Sequence, residues 1–237
     1  MKTTLLNYVE SQASRFRQLA GLSDSEAVNL RSLLLKLNVL TLFRPMSDSF
    51  SGMSLKGNGQ LFMLINSNQP RCRQHFTISH ELFHLFIEDN PMPHRCQDGR
   101  KKNESEQCAD AFALMFLMPA DGVRQMIPDD ELKQGKVSLA TALRLGQYFG
   151  TSHAAVLNRL SDLNLISRNE REKLSGISVK RACREHGYDI SLYESGNEGR
   201  VIGDFGEKAR KLFEADKISE GHYLELLHKI GIDGNED

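Results

Sequence analysis

One stretch decides how the chain is organised: His75-Phe76-Thr77-Ile78-Ser79-His80-Glu81-Leu82-Phe83-His84-Leu85-Phe86-Ile87. In a helix, His80 and His84 lie one above the other on the same face, so both imidazoles can reach one cation. Glu81 lies about 100° round the helix, beside the open position of such a site. A separate apolar stripe predicts that the helix is held inside a domain, and it consists of Ile78, Leu82, Leu85 and Phe86. The pattern is typical of zinc hydrolases.

A second stretch offers the carboxylate that the first one lacks: Glu104-Ser105-Glu106-Gln107-Cys108-Ala109-Asp110-Ala111-Phe112-Ala113-Leu114-Met115-Phe116-Leu117-Met118-Pro119. Its acidic start and proline stop predict a helix. A catalytic zinc uses three protein ligands, and two histidines with one glutamate are a common set. Glu104 and Glu106 both qualify by charge. We favour Glu106, because Asp110 follows one turn later, placed to accept the spare N–H of one ligand histidine.

The composition describes a globular protein of one or two domains, with 237 residues, 40% apolar and 26% charged. The formal charge of −1 argues against a nucleic-acid footprint over the whole surface. The first ten residues lack the features of a signal peptide, and no apolar run approaches a membrane span. We therefore expect a cytoplasmic protein without membrane contact. Its four cysteines form no CxxC pair, which favours reduced thiols.

Upstream of the histidine stretch, the pattern predicts helices at 4–20 and 24–37, the second from its Ser23-Asp24-Ser25-Glu26 start signal. A first strand is predicted at 39–43. Two further strands, at 51–55 and 61–66, flank a glycine- and asparagine-containing turn and predict a hairpin. The second arm is apolar throughout, so it is either central in the sheet or an edge strand that another segment covers.

Downstream, residues 88–102 predict a surface loop, in which His94 and Cys96 are further candidates for metal donors. A short helix is predicted at 121–127. Helices at 138–149 and 152–163, joined by Gly150-Thr151, predict a segment like a helix-turn-helix. That segment either completes the domain by packing or contacts DNA, and its second helix offers only three obvious groove contacts: His153, Asn158 and Arg159.

The domain division that we predict places the main domain at 1–165, including the helix-turn-helix-like segment at 138–163. Residues 166–237 form a small, mainly helical appendage in this prediction, with two short helices within 207–230. The appendage is a candidate for docking a partner or covering the cleft. The oligomeric state is left open.

Three motifs taken together carry a resemblance: Phe76-Thr77-x-x-His80-Glu81-Leu82-x-His84, Glu106-x-x-Ala109-Asp110-x-Phe112-Ala113, and Leu117-Met118-Pro119. The chain resembles the ImmA/IrrE family of metallo-endopeptidases. The resemblance implies an α+β, zincin-like fold, with helices packed on a small mixed or antiparallel sheet whose edge strand binds an extended peptide. It also implies one Zn²⁺, or Mn²⁺ or another divalent ion, held by His80, His84 and Glu106, with Glu81 as the base.

The same resemblance implies a partner, because several family members are anti-repressors that cut a helix-turn-helix repressor. Among residues that contact the substrate we count Leu64, Ile65 and His75. Two positions depart from the commoner family pattern: Phe83 replaces a frequent glycine, and His75 replaces a frequent arginine. We expect Phe83 to be a packed ring. Arg73, Tyr148 and His153 are candidates for the donor that stabilises the oxyanion.

Two hypotheses follow from these patterns. The first is a zinc endopeptidase that cleaves a cognate transcriptional repressor. The second is a non-proteolytic protein, like a component of a toxin-antitoxin pair, that binds a regulator or DNA and uses the metal as a structural clamp. Glu81 favours the first hypothesis, because a structural site needs no base beside an open coordination position.

Overall fold

The computed structural model describes residues 3–88, 94–97 and 103–230, with the backbone alone described for residues 3 and 94–97. The chain is α+β, as predicted. The helices are α1 (Thr3–Leu19), α2 (Leu30–Lys36), α3 (Arg71–Phe86), α4 (Glu104–Leu117), α5 (Ala120–Gln125), α6 (Asp129–Gln134), α7 (Leu139–Phe149), α8 (His153–Asp162), α9 (Arg168–Ser175), α10 (Val179–Glu185), α11 (Phe205–Glu214) and α12 (Glu220–Lys229). The strands are β1 (Val39–Arg44), β2 (Phe50–Gly57), β3 (Gln60–Asn66), β4 (His94–Gln97) and β5 (Val201–Ile202).

The strands form one mixed sheet in the order β4-β2-β3-β1-β5. β2 and β3 are the predicted antiparallel hairpin, and their turn contains Asn58 and Gly59 with φ of 49° and 72°. Asparagine and glycine accept these left-handed conformations at the lowest cost, which fixes the turn at this position. β1 pairs with β3 in parallel. The apolar strand β3 is therefore central, one of the two positions that its sequence allowed.

Four helices, α1, α2, α3 and α4, share the main hydrophobic core with the sheet. The ring of Phe16 on α1 lies 5.8 Å from that of Phe112 and 5.5 Å from that of Phe116, both on α4. Phe112 and Phe116 are fully buried, and each contributes roughly 1.5–3 kcal/mol through removal of its side chain from water. This packing holds α4 against α3, which is the contact that builds the site described below.

The helix predicted at 24–37 begins later, at Leu30, with Asn29 as its N-cap. The start signal does form its reciprocal contacts, because Ser23 Oγ accepts from the Glu26 N–H and Glu26 Oε1 accepts from the Ser23 N–H. The carbonyls of Ser23 and Glu26, however, accept hydrogen bonds from the buried guanidinium of Arg17. A helix cannot continue from carbonyls that a distant side chain already uses.

The predicted loop at 88–102 contains a short strand, β4, which pairs antiparallel with β2. Its residues show no period-2 apolar pattern, so the pairing depends on the exposed edge that β2 offers. Helix α6 was also not predicted from the sequence.

The two predicted helices of the helix-turn-helix-like segment are α7 and α8. Each begins at a capping serine, Ser138 or Ser152, and Gly150 ends α7 with a φ of 64°. Their buried faces form a second core with the end of α4 and with α5, whose members include Met118, Val123, Leu145, Phe149, Val156 and Leu160.

Beyond this pair, the chain forms α9 to α12, and β5 adds a strand to the edge of β1 through Thr41 and Leu42. The predicted division into domains at 165/166 stays a prediction. Among the described residues, every helix falls short of the length and apolar character that a bilayer crossing requires.

Candidate metal centre

The packing of α3 on α4 brings His80, His84 and Glu106 into one cluster, whose ligand atoms all lie within 4.8 Å of one another. The Nε2 atoms of the two histidines are 3.2 Å apart. His80 Nε2 lies 3.4 Å from Glu106 Oε2, and His84 Nε2 lies 3.4 Å from Glu106 Oε1. Asn103 holds Glu106 in the first turn of α4, because its side chain accepts the Glu106 N–H at 2.8 Å.

These distances fit a shared metal ion. Ligand atoms on a tetrahedral zinc with bonds of about 2.0–2.1 Å lie about 3.3 Å apart. Two imidazoles and one carboxylate also form a donor set that suits zinc and other first-row divalent ions. Glu104, the competing carboxylate, is exposed on α4 and does not join the cluster. The cluster therefore contains the three residues favoured as ligands, and their role as ligands stays a prediction.

Each histidine of the cluster also contacts a carboxylate through its other ring nitrogen. His80 Nδ1 lies 3.0 Å from Asp110 Oδ1, and His84 Nδ1 lies 2.7 Å from Glu88 Oε2. An ionised carboxylate only accepts, so both Nδ1 atoms carry the hydrogen and donate it. The Nε2 lone pairs are then directed at the common point between the three residues, which is the tautomer that a metal requires.

Glu88 is a site residue that the sequence analysis missed. It follows His84 by four residues, so a helical extension of the motif would have placed it beside His84. The hydroxyl of Ser105, on α4, donates to Glu88 Oε1. Glu88 therefore contacts both helices, through His84 on α3 and Ser105 on α4. Asp110, which is on α4, contacts His80 on α3.

Glu81 is fully buried next to the cluster. Its Oε2 accepts a hydrogen bond of 2.7 Å from the hydroxyl of Ser54, on β2. Ser54 is the second residue that the sequence analysis missed, and its local sequence gives no signal for this contact. Phe83 is a buried ring, 5.6 Å from Phe112, which matches the expected packed ring.

The residues predicted to contact substrate lie in the centre of the sheet or contact the backbone of another segment. β3 hydrogen-bonds to β1 and β2 on its two sides, so the backbones of Leu64 and Ile65 are not on an edge, and the Ile65 side chain is fully buried. An extended peptide cannot pair with their backbones, and contact of Leu64 or Ile65 with substrate stays a prediction. His75 Nδ1 donates to the Gly150 carbonyl at 2.8 Å, and burial lowers the pKa of His75. Its role stays a prediction.

The candidate oxyanion donors lie on different elements. Tyr148 is exposed on α7, His153 contacts the Leu174 carbonyl through Nε2 at 3.0 Å, and Arg73 lies over the ring of Phe76. Their assignment stays a prediction.

Of the proposed groove contacts, His153 and Arg159 are buried, and the side-chain oxygen of Asn158 accepts from Arg171 at 2.6 Å. Contact of α8 with DNA likewise stays a prediction.

The other candidate metal donors, His94 and Cys96, have side chains outside the described residues. Cys72, Cys108 and Cys183 are buried free thiols, as the absence of CxxC pairs predicted. Burial raises the pKa of Cys72 and of Cys108, which keeps these two thiols protonated and unreactive at neutral pH.

Comparison with known proteins agrees with this geometry. No curated protein matches the chain. A family model, Peptidase_M78, described as an IrrE N-terminal-like domain, matches residues 35–161, which include α3, α4 and the α7–α8 pair. The match covers more than half of the chain and contains every member of the His80, His84 and Glu106 cluster. The protein therefore belongs to the Peptidase_M78 family of metallopeptidases.

Proposed function

We propose that the protein is a zinc-dependent endopeptidase that cleaves a cognate helix-turn-helix repressor. One observation carries the catalytic part of this proposal: His80, His84 and Glu106 form a cluster whose spacing suits one divalent ion, and the buried Glu81 follows His80 directly in α3. A structural zinc site is closed by four protein ligands and has no use for a base, whereas a catalytic site keeps one position open beside three protein ligands.

His80, His84 and Glu106 would hold the ion. When bound, a divalent cation supplies Lewis acidity, which polarises a peptide carbonyl and lowers the pKa of water towards about 7. Zinc is favoured over other ions because the donors are two imidazoles and one carboxylate. Asp110 and Glu88 each accept the Nδ1–H of one imidazole, which leaves its Nε2 available to the ion and fixes the orientation of the ring.

Glu81 performs the proton transfers. As the general base, its carboxylate accepts a proton from the attacking water, and it then delivers that proton to the nitrogen of the departing amine.

The proposed substrate rests on the resemblance of the three sequence motifs to the ImmA/IrrE family. A repressor is cleaved rather than merely bound if the metal and Glu81 act together. The proposal therefore predicts that cells expressing the protein accumulate new N-termini within a helix-turn-helix regulator.

The test compares wild type with Glu81→Gln in cells that encode the natural partner, with new protein N-termini identified by mass spectrometry. Glu81→Gln keeps the size of the side chain but removes the base, so we expect retained metal and turnover lower by about 10²–10⁴-fold. Metal content of the purified proteins is the control for an intact site. Equal cleavage by both proteins would contradict the role of Glu81 as the base. No new N-termini with either protein would favour the alternative, a regulator-binding protein with a structural metal.

A further inference from the structure

Strand β2 lies against α3 along two successive contacts. At Gly52 the approach leaves no space for a side chain, since a Cβ there would lie 2.5 Å from Thr77 Cγ2 and 3.1 Å from the Leu64 carbonyl oxygen. Two residues further along β2, the Ser54 hydroxyl reaches Glu81, which is four residues beyond Thr77 on α3. Two strand residues span roughly 6.7 Å and four helical residues roughly 6 Å, so the spacing of the two contacts along β2 matches their spacing along α3.

The Ser54 contact acts on the terminal torsion of Glu81, which sets the rotation of the carboxylate group. The terminal torsion of a glutamate is broad and roughly two-fold, so a carboxylate has no strong preferred rotation of its own. A hydrogen bond of 2.7 Å from a hydroxyl to one carboxylate oxygen is charge-assisted and defines that rotation. Ser54 is itself 4% exposed, so it reaches Glu81 from inside the protein and does not contact the substrate.

We infer that Ser54 is a positioning residue for the general base: its hydroxyl orients the Glu81 carboxylate, and Gly52 sets the strand-to-helix distance that makes this contact possible. The inference rests on the proposed function, in which Glu81 transfers the proton. It predicts that Ser54 affects turnover without affecting metal binding, because it contacts neither histidine nor Glu106 in the contacts that the structure describes.

The chain offers a matched control on the same strand. Ser51 is fully buried on β2, and its hydroxyl accepts from the Gln69 side chain at 3.0 Å. Ser51→Ala and Ser54→Ala therefore each remove a buried hydroxyl with one hydrogen bond from the same strand. Only the second of these hydroxyls contacts the base.

The kinetic test uses the full-length, zinc-loaded protein and a library of short synthetic peptides, with cleavage followed by mass spectrometry. For Ser54→Ala we expect kcat lower by about 10–100-fold with an unchanged KM, since a misplaced catalytic group loses up to about 10²-fold. Ser54→Thr keeps the hydroxyl and should retain most of the activity, as should Ser51→Ala. Zinc affinity, measured by calorimetry, should be the same in all four proteins.

Equal kcat in Ser54→Ala and Ser51→Ala would overturn the inference, as would a loss in Ser54→Thr as deep as in Ser54→Ala, or a parallel loss of zinc. Crystal structures of the same zinc-loaded proteins give a readout that does not depend on cleavage. We expect one orientation of the Glu81 carboxylate in wild type and Ser51→Ala. In Ser54→Ala we expect a rotated carboxylate or two partly occupied orientations. An unmoved carboxylate would overturn the inference, whereas a wild type that cleaves no peptide and no repressor would instead contradict the proposed function.

Discussion

Helices α3 and α8 both bury polar side chains, but they use them differently. On α3, His80, Glu81 and His84 hydrogen-bond to the side chains of Asp110, Ser54 and Glu88. On α8, His153 hydrogen-bonds to the backbone carbonyl of Leu174, and Arg159 hydrogen-bonds to the carbonyl of Met118 and to the carboxylate of Glu10. Burial alone therefore does not separate the two helices, whereas the pairing of each α3 histidine with a carboxylate through Nδ1 does.

The difference has a physical basis. A backbone carbonyl at a helix end needs a donor, so an arginine or histidine that meets it satisfies the fold. Arg17 and Arg159 do this from two sides at the end of α4, through the carbonyls of Phe116 and Met118. A carboxylate that meets one nitrogen of a histidine leaves the other nitrogen directed at a ligand. His80 and His84 on α3 thus keep one nitrogen for a ligand, whereas His153 and Arg159 on α8 donate to backbone carbonyls and stabilise the fold.

The largest expected effect concerns the two glutamates that the sequence alone left in competition. Glu106→Ala removes one of the three predicted metal ligands. Loss of a residue that only hydrogen-bonds to a ligand lowers metal affinity by about 10–100-fold, and we expect a larger loss of zinc affinity here. Glu104→Ala, on the exposed side of the same helix turn, is the matched control and should bind zinc as wild type does. Calorimetry and metal analysis of the purified proteins measure both. Equal losses would show that the cluster is not the metal site.

A smaller effect is expected for the two carboxylates that accept hydrogen bonds from Nδ1 of His80 and His84. Asp110→Ala and Glu88→Ala each release one imidazole from its fixed orientation, and zinc affinity should fall by about 10–100-fold in each. Competition with a chromogenic chelator measures the affinity, and Glu104→Ala again serves as the control. Unchanged affinity in Glu88→Ala would contradict the assignment of Glu88 as the partner of His84.

On the other side of the comparison, Arg159→Met should affect stability and leave zinc binding unchanged. The substitution keeps much of the apolar side-chain volume but removes the donor to the Met118 carbonyl, and the free energy of unfolding should fall by about 1–3 kcal/mol. Urea denaturation measures this loss. A reduced zinc affinity in the folded variant would mean that α8 also supports the metal centre.

The smallest expected effect is a pH dependence at His153. Burial lowers the pKa of His153 in the folded protein, although its hydrogen bond to Leu174 opposes this shift. The unfolded chain therefore binds a proton below about pH 6.5 that the folded protein does not, so this residue makes stability fall as the pH falls through that value. His153→Gln should flatten the melting temperature between neutral and mildly acidic pH. An unchanged slope would show that other groups cause it.

Much of the site could be predicted from local spacing. His80, Glu81 and His84 lie within one helical turn, and Glu106 and Asp110 lie one turn apart on a second helix, so helical geometry alone groups them. The same rule would have indicated Glu88, had the helical pattern been extended beyond Ile87. The hairpin turn at Asn58 and Gly59 was predicted for a related reason, because its backbone conformation depends on those residues themselves.

The remaining errors have non-local causes. The start of α2 was predicted too early, because Arg17 binds the carbonyls that would have continued the helix. β4 was predicted as loop, because its pairing depends on the free edge of β2.

By itself, the sequence determined which residues can bind a metal and which carboxylate lies beside them, since a helix places residues four apart on one face whatever surrounds it. Only the tertiary structure decided that Glu106 rather than Glu104 joins the histidines, and that Ser54 reaches Glu81 from a strand 27 residues earlier. The physical reason is that hydrogen bonds and metal ligation act over about 2–3 Å. Contacts that short between distant segments exist only after the hydrophobic core has fixed α3, α4 and β2 against one another.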